Sequence, residues 1–410
     1  MKIAFFSDCY LDLTGGIRSS INAQKKALED DGHEVYIFTT GYPKNKDELK
    51  NLAKQNIFQV PSCKVFFRGL TPISRKPKIV EKWLMKNHPE IKNFDIYYIH
   101  YESGCSIAGL KLAKKFKIPS VQVMHGREDE GESHIIPFGL RNFVAFFLNL
   151  FHSWYIPNKT KIKRDSYLAN TYAKAKMWTL MVNHANYADL VLTPSEHFRK
   201  KLIHYGVKKE IKVLKNGFPD EKFPKNPPVK SLKPNEELRI IWHSRVSAEK
   251  RIMPFLRALT KVKGKYRLDV YGGGGDFFRA RRFAKRHKLK AFFHNNTTFD
   301  NLYKKIENSH LDVLVSYNFD TFGMTLIEAE SAGVPVFFCD PDMEEIVPKG
   351  SFIKSEDETE NAMAAALNNL LENPKKIEKM SSVMLEHRNE ILMSKHIKSL
   401  EKIFNDIIKR

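Results

Sequence analysis

The chain alternates short apolar runs with helix-length stretches, and it does so in two series. The first series comprises Ile3–Phe6, Glu34–Thr39, Ile96–His100, Ser120–Met124, Leu190–Thr193 and Ile211–Leu214; the second comprises Leu238–Trp242, Arg267–Tyr271, Leu311–Ser316 and Val334–Cys339. Segments with helical spacing, such as Ser19–Asp31 and Ile107–Lys117, lie between the runs. This alternation is typical of βαβ units on a parallel sheet. It predicts an α/β protein with two Rossmann-like domains.

A proline-rich segment separates the two series. Residues 218–237, "FPDEKFPKNPPVKSLKPNEE", contain five prolines and many charges, a composition that we expect to lack a packing face. The length of 410 residues also favours two domains of about 200 residues each. We therefore predict an N-terminal domain at 1–217, a linker at 218–237, a C-terminal domain at 238–390 and a terminal helix at 391–410.

The net charge indicates which classes of binding partner the protein favours. The net charge of +21 favours phosphate, nucleic acid or an acidic membrane surface. Neither a signal-peptide pattern at the start nor an uncharged apolar run long enough to span a membrane is found in the sequence. Four scattered cysteines lack metal-binding spacing and are expected to be buried thiols in a reducing cytosol: Cys9, Cys63, Cys105 and Cys339.

The stretch "FDTFGMTLIEAESAGVPVF", residues 319–337, predicts a phosphate site where a strand leads into a helix. Gly323 permits close backbone approach, and the N–H groups of Met324 and Thr325 can point at an anion. Asp320 and Glu328 can accept hydrogen bonds from sugar or ribose hydroxyls. The alternative is that both acids only cap and solvate the helix.

Two cations follow the first strand of the same domain. Arg245 and Lys250 lie in "WHSRVSAEKR", residues 242–251, where a strand is expected to end. Parallel strands present ligand sites at their carboxyl ends, so this pair is placed to hold a diphosphate. The alternative is two solvated surface cations.

The N-terminal domain has two further candidate positions. Gly15 and Gly16 lie between the first strand and the first helix, where they form either an anion-binding turn or an ordinary connecting loop. His125 follows a strand, and a lone histidine in such a place is either structural or part of a site. The acids beside it are able to bind a metal or act as a base, although we expect a solvated acidic loop: Glu128, Asp129, Glu130 and Glu132.

Residues 137–165 combine aromatic and basic residues in a way that is unusual for a soluble enzyme. Seven apolar residues recur at helical spacing: Leu140, Phe143, Val144, Phe147, Leu150, Phe151 and Trp154. Basic residues follow, among them Lys161, Lys163 and Arg164. An aromatic face beside cations suits the interface of an anionic membrane, and we expect Phe143, Phe147, Phe151 and Trp154 to contact it. The alternative is a helix whose apolar face packs on the sheet.

Several of these segments together resemble a known family. "SRVSAEK", "VYGGGGD", "LVSYNFDTFGMTLIEAESAGVPV", "LTPSEHFRKKL" and "KVLKNGF" look like the family-four retaining glycosyltransferases of GT-B fold. Asp320 stands where that family usually has Glu, and Ser244 stands where it has Gly. Residues 100–125 also resemble the bacterial diacylglycerol glucosyltransferases. The resemblance implies two Rossmann-like domains that face an interdomain cleft.

The resemblance also implies roles for individual residues. Asp320 would contact hydroxyls of the donor hexose, and Glu328 would contact the ribose. The backbone of Phe322, Gly323, Met324 and Thr325 would hold phosphate and sugar. Arg245 and Lys250 would stabilise the leaving diphosphate.

In the N-terminal domain, the resemblance implies that Gly15 and Gly16 meet the donor diphosphate and that His125 positions the transferred sugar. The loop "YGGGGD", residues 271–276, would border the nucleotide.

We therefore expect a retaining hexosyltransferase that moves glucose from UDP-glucose onto diacylglycerol or a related glycolipid. The expected location is cytoplasmic, peripheral on the inner face of the membrane, with a UDP-sugar donor, a lipid acceptor, an anionic membrane surface and no nucleic acid as partners. No metal or other cofactor is expected. The alternatives are a polysaccharide or protein acceptor, a basic nucleic-acid-binding protein, and a catalytically inactive sugar-binding homologue.

Overall fold

The structure is a computed structural model that describes residues 1–8, 16–41, 45–63, 73–130, 136, 138–294 and 297–410, apart from the side chain of Phe138. The chain divides into two compact units. The first unit comprises Met1–Lys215 together with His396–Arg410, and the second comprises Asn216–Lys395.

The first unit is built on a parallel sheet. Its strands are β1 (Lys2–Ser7), β2 (Glu34–Thr39), β3 (Ile57–Gln59), β6 (Ile96–His100), β7 (Ser120–Val123), β8 (Leu190–Thr193) and β9 (Ile211–Val213), in the order β3-β2-β1-β6-β7-β8-β9. A separate antiparallel pair joins β4 (Ser62–Cys63) to β5 (Ile73–Ser74). The central strand β1 is buried almost throughout, as expected for a parallel sheet covered on both faces.

Helices cover this sheet: α1 (Gly16–Asp30), α2 (Lys46–Ala53), α3 (Pro77–Asn87), α4 (Gly104–Phe116), α5 (Arg141–Ser153), α6 (Tyr172–Tyr187) and α7 (Glu196–His204). The start of α4 shows why such a helix begins where it does. The carboxylate of Asp8, just after β1, accepts hydrogen bonds from the backbone N–H groups of Cys105 at 2.9 Å and Ser106 at 3.1 Å. These groups have no acceptor within the helix, so the acid stabilises the first turn.

The second unit contains a second parallel sheet. Its strands are β10 (Leu238–Trp242), β11 (Tyr266–Tyr271), β12 (Ala291–His294), β13 (Leu311–Leu314), β14 (Val336–Phe338) and β15 (Phe352–Lys354), in the order β12-β11-β10-β13-β14-β15. This is the strand order of a Rossmann fold. The helices are α8 (Ile252–Leu259), α9 (Phe277–Arg286), α10 (Phe299–Glu307), α11 (Met324–Ser331), α12 (Glu360–Glu372) and α13 (Lys375–His387).

The prediction of an α/β protein with two Rossmann-like halves is confirmed. The strands that the apolar runs predicted are found within two residues of the expected bounds. Five strands of the described residues were not predicted: β3, β12 and β15, each at the edge of a large sheet, and β4 and β5, which form the separate antiparallel pair.

Residues 218–237, predicted as a linker, lie in the second unit. Phe218 is 1% exposed, Leu232 is 6% exposed, and both lie in hydrophobic clusters of that unit. The backbone N–H of Lys230 donates to Ser381 Oγ at 2.7 Å. The segment therefore does pack, because isolated apolar residues between its prolines anchor it.

The terminal helix α14 (Met393–Ile408) packs on the first unit through its C-terminal part. The rings of Phe404 and Tyr98 lie 5.2 Å apart, and Glu401 contacts His33. The chain thus returns to its first unit after it has completed the second.

Candidate functional site

Two loops of the second unit leave the same edge of its sheet. Strands β10 and β13 are parallel neighbours, with Ile241 opposite Asp312. The segment 243–251 follows β10, and the segment 315–323 follows β13 and leads into α11. Because the carboxyl ends of parallel strands lie at one edge, the two candidate segments are brought side by side.

Lys250 and Asp320 form an ion pair between these loops. Lys250 Nζ lies 2.6 Å from Asp320 Oδ1 and 2.8 Å from Oδ2, and Ser316 Oγ also donates to the carboxylate. The two side chains are only 12% and 13% exposed. Lys250 is therefore not a solvated surface cation. Two N–H groups of its ammonium contact Asp320, which leaves the third for another acceptor.

Arg245 has a different partner. Its Nη2 lies 3.2 Å from Glu249 Oε1, and its side chain is 59% exposed. Glu249 is buried and also accepts from Ser247 Oγ at 2.6 Å. Lys250 therefore forms an ion pair with Asp320, which is one of the predicted acids. Arg245 instead pairs with Glu249, an acid of its own loop.

Gly323 is required by the turn that begins α11. Its φ is +72°, and a Cβ at this position would lie 2.7 Å from Leu314 Cδ2. Phe322 is buried in the core and anchors the turn. The N–H groups of Met324 and Thr325 are the first of α11 and have no acceptor within the helix, whereas Leu326 N donates to Gly323 O at 2.9 Å. Thr325 Oγ1 is buried without a hydrogen-bond partner in the described part of the chain, so hydroxyl and amide groups are available together.

Sequence reasoning missed a buried histidine beside Glu328. His243 follows β10 directly, and its side chain is 1% exposed. Its Nε2 contacts Asp312 Oδ2, and its Nδ1 lies 3.2 Å from Glu328 Oε2. Burial alone would lower the pKa of His243, but the two carboxylates outweigh burial and raise that pKa to about 10. Glu328 is therefore more than a helix-capping acid.

The glycine-rich segment 272–275 packs against the loop that carries Arg245. A Cβ on Gly272 would lie 2.3 Å from Ser244 O, and one on Gly274 would lie 2.3 Å from Val246 O. Val246 N donates to Gly273 O at 2.9 Å. These glycines thus permit backbone contact between two loops, which accounts for them without a ligand.

In the first unit, His125 lies against a second histidine. His125 Nε2 and His100 Nδ1 are 2.7 Å apart, and the two rings stack. Burial lowers the pKa of His125 to about 4. Burial and the neighbouring His125 lower the pKa of His100 well below its usual value. Both rings are therefore uncharged near neutral pH. Gly16 is the exposed first residue of α1, and Gly15 lies outside the described residues.

Two of the acids after His125 are paired with cations. Asp129 pairs with Arg127 at 2.6 Å, and the two side chains are 0% and 2% exposed. Glu130 pairs with Arg127 and Lys174. For Asp129 and Glu130 the expectation of a solvated loop was wrong, because both pair with the buried guanidinium of Arg127. Glu132 lies outside the described residues.

Helix α5 buries its polar residues Asn149 and His152 together with Ala145. Asn149 donates to Lys176 O at 3.0 Å, and His152 Nε2 lies 3.1 Å from His184 Nδ1. Ala145 also forms a small hydrophobic cluster with two residues of α6, Met177 and Leu180, so both polar and apolar contacts join the two helices. The predicted alternative, an apolar face packed on the sheet, is wrong.

The aromatic side of α5 faces outward. Its side chains, and those flanking the helix, are exposed as follows: Leu140 50%, Phe143 62%, Phe146 41%, Phe147 47% and Trp154 66%. Phe151 is half-buried. Lys161, Lys163 and Arg164 are exposed. In the part of the chain that the structure describes, no helix is long and apolar enough to cross a membrane.

The sequence matches two family descriptions. "Glycosyltransferase Family 4" matches residues 14–222, and "Glycosyl transferases group 1" matches residues 225–383. The alpha-monoglucosyldiacylglycerol synthase of Acholeplasma laidlawii is 25% identical over 354 residues, which cover 82% of this chain and 79% of that protein. The enzyme of the same description from Streptococcus pneumoniae is 25% identical over 365 residues, covering 82% and 70%.

Solved structures share the fold along the whole chain. The crystal structure of the Anabaena protein HepE in complex with UDP has a TM-score of 0.69 and 16% sequence identity, and the match covers 99% of this chain and 100% of that chain. These findings confirm the predicted GT-B fold and the predicted resemblance to diacylglycerol glucosyltransferases.

Proposed function

The chain belongs to Glycosyltransferase Family 4 and is a glycosyltransferase, and from this premise we propose that it moves glucose from UDP-glucose onto diacylglycerol or a related glycolipid. The proposal includes retention of the anomeric configuration and no essential metal. The proposed place of action is the inner face of the cell membrane, to which the cytoplasmic enzyme binds peripherally. The observation that carries the lipid acceptor is helix α5, which buries its polar side and exposes its aromatic side.

The donor proposal rests on the edge of the second sheet. Transfer from a nucleotide sugar leaves negative charge on the departing phosphate, and donors fixed at that phosphate stabilise the transition state. Lys250 has one N–H that Asp320 does not use, and the first turn of α11 supplies backbone N–H groups. We assign the phosphate to these groups, hexose hydroxyls to Asp320, and ribose hydroxyls to Glu328. Arg245, being exposed, would add a more distant positive charge.

The uncharged state of His125 fits a role beside the sugar. The transferred carbon gains positive charge in the transition state, and an imidazolium next to it would be repelled. A neutral imidazole can still exchange hydrogen bonds with a hydroxyl. In our proposal, His125 holds a sugar hydroxyl, and the departing phosphate assists attack by the acceptor on the same face.

The acceptor proposal rests on exposed aromatic area. Water-exposed phenylalanines on one helix are costly unless a partner covers them, and a membrane interface accepts aromatic rings next to cations. Phe143, Phe147 and Trp154 supply the rings. Lys161, Lys163 and Arg164 supply charges that attract anionic headgroups.

The second unit also carries an exposed cationic helix. Helix α9 and the turn after it expose six cations: Arg279, Arg281, Arg282, Lys285, Arg286 and Lys288. Phe278, on the same helix, is 77% exposed. This combination supports the same kind of partner, an anionic lipid surface.

Vesicle flotation followed by a turnover assay tests the proposal. The protein is mixed with phosphatidylglycerol or phosphatidylcholine vesicles, and glucose transfer to diacylglycerol is measured with UDP-, GDP- and ADP-glucose. We expect flotation with the anionic vesicles and turnover with UDP-glucose. Phe143→Ser/Phe147→Ser should lower flotation and turnover in vesicles. The matched control Leu49→Ser/Ile203→Ser, which changes two exposed apolar residues elsewhere on the first unit, should lower neither.

Three outcomes would contradict parts of this proposal. Unchanged flotation and turnover in Phe143→Ser/Phe147→Ser would contradict the role of α5. A parent protein that binds UDP-glucose but transfers no glucose to diacylglycerol would favour a polysaccharide or protein acceptor. Tight binding of RNA or DNA at physiological salt, without a shift of the melting temperature by any nucleotide sugar, would favour the nucleic-acid alternative.

A further inference from the structure

His243 lies between two carboxylates in the second unit. Asp312 contacts Nε2 from the neighbouring strand β13, and Glu328 Oε2 lies 3.2 Å from Nδ1 on helix α11. The exposed fractions of the three side chains differ: His243 has 1%, Asp312 has 0% and Glu328 has 19%. Glu328 is thus the member of this group through which a ligand can be reached.

The geometry defines the protonation of the group. A carboxylate oxygen is an acceptor, so each ring nitrogen needs a hydrogen to interact favourably with its acid. A neutral imidazole carries one N–H and can satisfy one acid. Nδ1 lies within ion-pair distance of Glu328 but makes no hydrogen bond in the described part of the chain, so its attraction to this acid is one of charge. Only the imidazolium attracts both acids, and its charge compensates two buried or half-buried anions.

We propose that His243 is a positioning residue for the donor: it pairs with Glu328 and holds this side chain in a fixed orientation, so that the enzyme prefers a nucleotide with intact ribose hydroxyls. This inference rests on the proposed function, in which Glu328 accepts hydrogen bonds from the ribose. It adds His243 as the residue that enables Glu328 to accept these hydrogen bonds.

The physical reason is the neighbouring diphosphate. A carboxylate close to a bound diphosphate is repelled by it and tends to turn away or to take up a proton. A protonated carboxyl group loses acceptor capacity. The imidazolium lies beside Oε2 and offsets the repulsion, so that the carboxylate can keep its place and accept from ribose hydroxyls. Hydrogen bonds to a charged acceptor are stronger than those to a neutral one, so removal of a ribose hydroxyl should cost affinity.

Binding of UDP, 2′-deoxy-UDP and 3′-deoxy-UDP tests the inference by calorimetry. For the parent protein we expect at least one deoxy nucleotide to bind about 10-fold more weakly than UDP. His243→Gln carries no charge and can donate to one acid only. We expect it to reduce that preference to about 2-fold, to raise KM for the donor and to lower kcat much less. Glu328→Gln should behave in the same way, and the double variant should lose no further selectivity.

The outcomes separate this inference from the proposed function. A His243→Gln protein that keeps the full ribose preference and the parent KM overturns the positioning role and leaves the donor proposal intact. A parent that binds no nucleotide, or binds UDP and both deoxy forms equally, overturns both.

A spectroscopic measurement covers the case in which His243→Gln does not fold. Nitrogen-15 NMR of the parent should show one histidine protonated on both ring nitrogens at pH 8, and Glu328→Gln should perturb that signal. A spectrum in which every histidine is neutral at pH 8 overturns the inference.

Discussion

His125 and His243 each follow a parallel strand in one of the two units, yet their surroundings give them opposite charge states. His125 faces another histidine, and burial lowers its pKa to about 4. His243 faces two carboxylates, which outweigh burial and raise its pKa to about 10. Position along a Rossmann fold therefore does not define the charge of a histidine. The neighbouring strand and helix define it.

This difference suits the two proposed tasks. A neutral histidine is appropriate beside a sugar carbon that becomes positive. A buried cation is appropriate where a carboxylate must keep its place near a diphosphate. Variants that alter the charge at either histidine test whether each proposed task needs the charge state that its surroundings impose.

The largest expected effect is on stability, from His243→Leu. This change leaves Asp312 buried without a compensating charge, and we expect it to lower the free energy of unfolding by about 3–5 kcal/mol. Urea denaturation measures the global loss, and hydrogen exchange of the β10 and β13 amides locates it. His243→Leu/Asp312→Leu should recover much of the loss. A loss below about 1 kcal/mol in His243→Leu would contradict an ionised pair.

The same residue predicts a dependence on high pH. Because the pKa of His243 is raised in the folded chain, its stabilisation is fully present below about pH 6.5, the pKa of an unfolded histidine. The stabilisation is lost as the pH rises through about 10. As the pH rises from 7 to 10, the free energy of unfolding of the parent should therefore fall relative to that of His243→Leu/Asp312→Leu.

The next effect is on turnover, from Lys250→Ala. Removal of a donor fixed at the leaving phosphate should lower kcat by about 10²–10³-fold. The melting temperature should change little, because Lys250 lies at the edge of the sheet and Ser316 still contacts Asp320. Arg245→Ala is the matched control: its side chain is exposed, so we expect a smaller loss of turnover. Equal losses of turnover in the two variants would contradict the proposal that Lys250 holds the leaving phosphate more directly than Arg245 does.

A smaller effect is expected at His125. His125→Gln keeps an uncharged hydrogen-bonding group and should lower turnover by about 10-fold or less. His125→Arg has a permanent charge and should lower turnover further. Steady-state kinetics at pH 7.5 compares the two variants, and circular dichroism confirms that both are folded. If His125→Arg were the more active variant, the neutral state of His125 would not be what the reaction needs.

The smallest effect concerns mild acid. Burial lowers the pKa of His125 below its unfolded value, so its contribution to stability is present above about pH 6.5 and falls as the pH drops toward about 4. When the pH falls from 7 to 5.5, the free energy of unfolding of the parent should decrease by about 1 kcal/mol more than that of His125→Gln. Urea midpoints at the two pH values measure the difference. An identical pH dependence in both proteins would show that burial does not lower the pKa of His125 in the folded chain.

The sequence predicted the interior of each sheet better than its edges. The predicted bounds of Glu34–Thr39 and Leu238–Trp242 agree with β2 and β10, since buried central strands are long apolar runs. The missed strands β3, β12 and β15 have three or four residues, are partly exposed and pair on one side only. Their apolar pattern is correspondingly weak.

The candidate site was predicted in parts. The residues Lys250 and Asp320 were found from their motifs, but their pairing was not, because it joins loops seventy residues apart in the chain. His243 was missed, although a histidine after an apolar strand and an acid within "LDVL" are polar residues in apolar surroundings. Such a pair becomes visible as one group only when β10 and β13 are known to be neighbours.

Local periodicity and backbone sterics are sufficient to predict the two series of βαβ units, the turn at Gly323 and the helical spacing of the aromatic residues in 137–165. The folded arrangement was needed to learn which side of α5 is buried, which acid each cation contacts and which buried histidine carries a charge. These properties depend on contacts between segments distant in the chain, and on the loss of solvation where those segments meet.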